Sequence, residues 1–342
     1  MNGRSRDMSA LGAGRDMGAV GAGHDLSALV EQFFASSFST DNALITEAVR
    51  RMLAAGGKRL RPRILLLAAE ANGASPAQHL PLAAYMELIH VGTLIHDDIV
   101  DRADRRRGVN ATAVDYGNRV SVLAGDYLFA WIFKNVTAKY EHPIPHILAS
   151  TLADITDGEV LQNRAVGRLD LPVAEYVEIA VKKTATLFAA CAECGALVAG
   201  ASPLRAGALR EFGLAYGIAF QMLDDLLDLT ATESELGKPA GNDLVERKMT
   251  IPLIFALAAG DVDFRERVRR FYHEPSLSRA GDVAALIAGI AAHGGLIRTR
   301  ETIAGYIERA DTSLARLGNA PARAELVALA EALARESAVR AR

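Results

Sequence analysis

PLAAYMELIHVGTLIHDDIVD, residues 81–101, opens on a proline, keeps apolar side chains at helical spacing through Leu88 and Leu94, and closes on three aspartates. Proline at the head of such a run is tolerated in the first turn of a helix. Most of the chain from Asp25 onward has the same texture, rich in Ala and Leu with scarcely any strict alternation that would mark strands. The fold class expected is all-α. Further helices are predicted near 121–140, 144–164, 172–200 and 207–231, with several shorter ones after Thr250. Ser39-Thr40-Asp41-Asn42 supplies cap residues ahead of another helical stretch, which ends at Gly56-Gly57. No Pro/Ser-rich linker divides the chain after residue 40, so a single domain over residues 25–342 is expected. Residues 1–24 repeat loosely every nine residues, as Arg6-Asp7-Met8, Arg15-Asp16-Met17 and His24-Asp25-Leu26, and are read as a flexible N-terminal tail. Units that short build no solenoid.

Composition narrows the function classes. Of 342 residues, 50% are apolar and 23% charged, enough to bury a large core. With 38 basic against 41 acidic residues the net charge of −3 gives no bulk attraction to nucleic acid or anionic membrane, so an anionic ligand needs local cations. Two cysteines are too few for a disulfide framework or a four-ligand zinc site, and a reduced, cytoplasmic protein is expected. No apolar run is long enough to span a membrane, and no secretory signal is expected.

The acids then decide the chemistry. Asp97, Asp98 and Asp101 recur in spacing as Asp224, Asp225 and Asp228. At about 100° per residue each trio spans a roughly 100° arc of a helix, so three carboxylates are expected on one face. Like charges so placed repel, the more so among apolar neighbours. A hard divalent cation reverses that sign, and oxygen-only donors favour Mg²⁺ or Mn²⁺ shared with substrate phosphates. The basic clusters Lys58, Arg59 and Arg61, Arg105 to Arg107, and Lys182-Lys183, together with Lys238 and Lys248, are the complement expected of a diphosphate site. Gly56-Gly57 is read as allowing close backbone approach. No P-loop motif is present. Cys191 and Cys194 form a C-x-x-C inside a helical stretch and are read as buried small residues. His96 is read as structural, holding a neighbouring group by hydrogen bonding.

Together these segments resemble the trans-polyprenyl diphosphate synthase family over nearly the whole chain from about residue 26. Gly56-Gly57-Lys58-Arg59 with Arg61-Pro62 is similar to its GGKRxRP segment, Asp97 to Asp101 to its first aspartate-rich motif, and Arg106-Arg107-Gly108 to the RRG that follows. Gly158-Glu159 through Gln162, Lys183-Thr184, Gln221 with Asp224 to Asp228, and Gly237-Lys238 through Asp243 keep the family order. Arg247-Lys248 stands where many members have Gly-Lys, a departure that keeps the lysine.

The resemblance implies one helical bundle around a deep central cavity, the isoprenoid synthase fold, usually as a homodimer. It also implies that Lys58, Arg61, His90 and Arg107 hold isopentenyl diphosphate. Arg106, Lys183, Thr184, Gln221, Lys238 and Lys248 would hold the allylic prenyl diphosphate, with Mg²⁺ on both aspartate trios. The implied reaction is condensation of the two substrates into a trans-polyprenyl diphosphate. Gly92 and Thr93, lying before the first trio without the bulky aromatic that stops elongation early, predict an open tunnel and a medium or long chain, of the octaprenyl or heptaprenyl type. The other readings are a farnesyl or geranylgeranyl diphosphate synthase and a non-catalytic partner subunit. A terpene cyclase has no second diphosphate to hold, and a partner subunit should have lost acids from a trio; both trios are complete.

Overall fold

The computed structural model describes residues 26–38, 40–106, 108–231, 240–274 and 280–339. The N-terminal repeat, Arg107 and Lys238 therefore lie outside the described residues. The helices are α1 (Leu26–Ser37), α2 (Ala43–Ala54), α3 (Leu60–Glu70), α4 (Leu80–Val100), α5 (Thr112–Lys139), α6 (Ile144–Ala165), α7 (Val173–Ala180), α8 (Thr186–Val198) and α9 (Pro203–Thr230). They continue as α10 (Asn242–Val245), α11 (Ile251–Ala259), α12 (Val262–His273), α13 (Ala280–Ala292), α14 (Gly295–Leu314) and α15 (Pro321–Val339). Among the described residues the strands are two short antiparallel pieces, β1 (Arg105–Arg106) and β2 (Val109–Asn110), with Arg106 opposite Val109. The chain is all-α, as its periodicity predicts.

Local chemistry sets the boundaries. Asn42 accepts the amides of Leu44 and Ile45 and starts α2. Helix α9 begins four residues ahead of the expected start because Ser202 accepts the Arg205 amide and Pro203 fits the first turn. Helix α5 begins at Thr112, ahead of the expected residue 121, and carries a break at Gly117, where φ 78 and ψ 155 are not helical. The predicted helix over 172–200 is α7 and α8 joined by one π-helical segment, Val181–Ala185. That extra backbone residue per turn re-aims Lys183 and Thr184, as π-bulges do at functional sites.

One apolar cluster runs through the molecule, with α9 packed against α8 and α14, α4 against α5, and α3 against α8. Phe188, Phe212, Tyr216 and Phe220 form a chain of ring contacts along the α8–α9 seam. Cys191 and Cys194 are free and fully buried there, and burial pushes both thiols far above their ordinary range, which leaves them inert. Among the described residues no helix is long and apolar enough to cross a membrane.

Gly56 has φ +77, a conformation that a residue with a Cβ rarely adopts, and no protein atom stands within 4 Å of its Cβ position. One reading of the basic segment needs correction. Arg59 is a core residue, donating to Glu31 at 2.5 Å, Glu87 at 3.1 Å and the Leu53 carbonyl at 2.8 Å. It ties α1 and α2 to α4 and takes no part in a cation-lined mouth.

Candidate active site

Helices α4, α6, α7 and α9, the π-helical segment and the chain between α10 and α11 enclose a cavity of about 370 Å³. Its lining mixes two chemistries: Asp97, Asp101, Asp224 and Asp243 with Arg106, Lys183 and Lys248 are its charged groups, and Leu94, Ile155, Ile179 and Phe220 supply apolar surface. Arg61, His90, Thr93, Thr184 and Gln221 also face it.

The trios do not act as units. Asp97 and Asp101, one helical turn apart, face the cavity. Asp98, a further 100° round α4, is 1% exposed and turns to Arg106, receiving Nε at 2.7 Å and Nη2 at 2.5 Å. The expectation that all three carboxylates share one ligand-facing surface is corrected: Asp98 holds Arg106 at the cavity wall. In the second trio Asp224 faces the cavity, while Asp225 accepts from Tyr176 Oη at 2.7 Å, Gln221 Nε2 at 2.9 Å and the Ile251 amide at 3.2 Å. Asp228 is buried and accepts the Asp243 amide at 3.1 Å, anchoring the chain that enters α10.

Burial raises Asp97 to about 6, with Lys183 opposing and Glu159 and Asp101 adding to the rise. Burial likewise raises Asp225 to about 6 against its three hydrogen bonds. Lys183 Nζ sits 2.5 Å from Glu159, and Lys248 Nζ lies 2.7 Å from Glu246 and 3.5 Å from Asp101. Burial disfavours the Lys248 charge, but those carboxylates and Asp243 outweigh it and raise its pKa. Thr184 donates to Gln221 Oε1 at 2.7 Å, so Gln221 bridges Thr184 to Asp225.

The cations separate in the same way. Arg61 is half-buried, its guanidinium over the Phe188 ring at 4.5 Å, and its buried Nε has no hydrogen-bond partner among the described residues. Burial lowers its pKa, partly offset by Glu87. Lys58 is 69% exposed beside Glu336 of α15, does not line the cavity and is not brought to the site. His96 turns onto α5, its Nε2 at 3.1 Å from the Val122 carbonyl oxygen and 3.5 Å from Asp126.

Gly92 overturns the open-tunnel reading at that position. A Cβ there would meet Phe129 of α5 at 2.6 Å, so the glycine admits a neighbouring ring and leaves no space for a product tail. Thr93 does face the cavity. Arg247 shows why replacement of a glycine is tolerated. It adopts φ +57, costly for a residue with a Cβ, while its Nε donates to the Tyr272 carbonyl at 3.0 Å and its own carbonyl accepts the Gly167 amide at 2.9 Å.

Tyr176 escaped the sequence reading, although it lies seven residues, two helical turns, before Lys183. Glu159 was met only as part of a motif, with no role given; the signal for its pairing with Lys183 lies in tertiary contact alone.

The model of the family described as Polyprenyl synthetase matches residues 42–290. The chain belongs to the polyprenyl synthetase family. Octaprenyl diphosphate synthase of Escherichia coli (strain K12) is 34% identical over 304 residues, covering 89% of this chain and 92% of that protein. Geranylgeranyl diphosphate synthase of Methanosarcina mazei is 38% identical over 290 residues, covering 83% and 87%. Among solved structures, polyprenyl synthase from Caulobacter crescentus CB15, complexed with calcium and isoprenyl diphosphate, is similar with a TM-score of 0.85 and 37% identity. The match covers 90% of this chain and 94% of that one. This polyprenyl synthetase is an enzyme, a trans-prenyltransferase.

If Asp98 acts through Arg106, Asp98→Ala and Arg106→Ala should raise the KM for the allylic substrate by similar factors, about tenfold, or roughly 1.4 kcal/mol. The double variant should be no worse than either single one. Additive losses in steady-state kinetics would place Asp98 in a separate role.

Proposed function

We propose that this trans-prenyltransferase condenses isopentenyl diphosphate with an allylic prenyl diphosphate, uses Mg²⁺, with Mn²⁺ as a substitute, and makes medium- or long-chain products. The reading rests above all on one observation: acids of α4 and α9 share a cavity with Arg106, Lys183 and Lys248, while Arg61 faces it too. Among the described residues no three acidic, histidine or cysteine side chains crowd into a ready-made metal cage. Carboxylates spread over two helices suit Mg²⁺, which commonly takes one or two carboxylates and completes its shell with water and phosphate oxygens. Asp97, Asp101 and Asp224 would hold it, and the raised Asp97 pKa fits a carboxylate cluster built around a cation. The calcium and isoprenyl diphosphate of the Caulobacter crescentus relative support the same ligand class.

When bound, Mg²⁺ supplies charge neutralisation to the leaving diphosphate. Arg106, Lys183 and Lys248 hold the outer oxygens of that group as the C–O bond ionises. Arg61 and His90 orient isopentenyl diphosphate so that its double bond attacks the allylic cation. The Thr184 proton is committed to Gln221, so the hydroxyl lone pairs are left for the cation, and the Phe220 face can stabilise it as well. Leu94, Ile155 and Ile179 exclude the water that would quench it. The departed diphosphate takes the proton that is then lost.

Turnover is therefore expected to stop in chelator and return with Mg²⁺ or Mn²⁺. Asp97→Ala and Asp224→Ala should each lower kcat at least a hundredfold, about 2.7 kcal/mol, with little change in thermal stability. Near-full activity in chelator, or variants that unfold well below wild type, would contradict the metal reading.

Product length is assigned from Thr93, a small side chain on the cavity wall one turn before Asp97. Thr93→Phe should shift the products to shorter prenyl diphosphates while the first isopentenyl unit is still consumed. Chromatography of dephosphorylated products reads this directly, and an unchanged distribution from an active variant would exclude Thr93 as a length determinant.

The homodimer is assigned to a surface of α5, on which Leu123 is 55%, Val122 40% and Tyr127 38% exposed. Light scattering should give twice the chain mass, and Leu123→Lys should shift it toward monomer. A monomeric wild type would refute the assignment.

A further inference from the structure

Thr250 occupies the position before α11, where a threonine side chain ordinarily accepts one of the first free helix amides. Here Pro252, the second helical residue, has no amide to give. Asp225, reaching across from α9, accepts the Ile251 amide at 3.2 Å, and Thr250 makes no side-chain capping bond. Its Oγ1 is buried and has no hydrogen-bond partner among the described residues, in a residue only 5% exposed that lines the catalytic cavity. A buried hydroxyl without a partner is costly and uncommon, and this one belongs to a residue that lines a ligand cavity.

The surroundings say which ligand. The main chain here is held by bonds that do not involve the hydroxyl: the Lys248 amide donates to the Asp243 carbonyl at 2.9 Å, Tyr272 Oη donates to the Lys248 carbonyl at 3.0 Å, and the Ile254 amide donates to the Thr250 carbonyl at 3.0 Å. Thr250 is thus fixed two residues from Lys248, and both line the cavity that Asp224 and Asp243 also line. An anion held by the Lys248 ammonium offers acceptor oxygens and no donors, which is the complement a free hydroxyl proton requires. We propose that Thr250 Oγ1 donates a hydrogen bond to an oxygen of the allylic diphosphate beside Lys248, making Thr250 a substrate-contact residue. The proposal rests on the reading of Lys248 as a ligand of that diphosphate.

The test uses the full-length enzyme carrying Thr250→Val, which exchanges the hydroxyl for a methyl of similar size, and Thr250→Ser, which keeps it. Because the hydroxyl has no protein partner, Thr250→Val should melt at or above the wild-type temperature. Its KM for the allylic diphosphate should rise about tenfold, while the KM for isopentenyl diphosphate stays within twofold. The thermal stabilisation given by inorganic diphosphate with Mg²⁺ should shrink, and Thr250→Ser should behave like wild type in every measurement. Unchanged kinetics in Thr250→Val would overturn the proposal. So would a large drop in melting temperature with equal losses toward both substrates, which is the mark of a hydroxyl serving the fold through buried water. Lys248→Ala separates the two layers: if it leaves the allylic KM unaltered, the diphosphate sits elsewhere and both readings fall. If it raises that KM while Thr250→Val does not, the Thr250 contact alone is wrong.

Discussion

A single buried carboxylate, Asp225, holds the cavity in shape. It accepts from Tyr176 on α7, from Gln221 one turn earlier on α9 and from the first amide of α11. Three donors from three helices compensate its desolvation, though not enough to return its pKa to the ordinary carboxylate range. Each bond has a consequence at the ligand-facing surface. Gln221 is oriented so that its carbonyl takes the Thr184 proton, Tyr176 fixes α7 against the second acidic helix, and the Ile251 amide ties the start of α11 to α9. A polar network in a low-dielectric interior has to be satisfied throughout, so it admits few alternative arrangements.

The same division between holding and facing runs through the whole site. Along α4, Asp97 and Asp101 confront the cavity and Asp98 is spent on Arg106; along α9, Asp224 and Asp225 both line it, Asp225 while holding Tyr176, Gln221 and the Ile251 amide, and Asp228 anchors backbone. The ligand-facing acids lie close to Lys183 and Lys248, each of which also has a glutamate partner in Glu159 or Glu246. Those ion pairs hold Lys183 and Lys248 at the cavity. The π-helical turn at Val181–Ala185 contributes geometry of the same kind, because a regular helix would carry Lys183 and Thr184 round by a different angle.

Much of this was legible in the sequence. Apolar spacing without alternation specifies helices wherever a chain must bury one stripe, and caps such as Asn42 and Ser202 start them through local hydrogen bonds. The acidic trios raise the expectation of a cation because like charges on an apolar helix repel one another. Arg61, His90, Arg106, Lys183, Thr184, Gln221 and Lys248 were all nameable as ligand candidates, and all line the cavity.

What the sequence could not settle was direction. Adjacent aspartates differ by about 100° in heading, and only the packing of α4 against its neighbours decides that Asp98 meets Arg106 while Asp97 faces the cavity. Lys58 and Arg61 stand three residues apart, yet one pairs with Glu336 at the surface and the other lies over the Phe188 ring. Gly92 reads as empty space until Phe129, 37 residues away, is seen to occupy it. The sequence alone determined which elements form and which chemistry they carry, because propensity, capping and charge repulsion act within a few residues. The tertiary structure alone decided which groups share a cavity, because that depends on contacts between residues far apart in the chain, whose side chains have no local reason to meet.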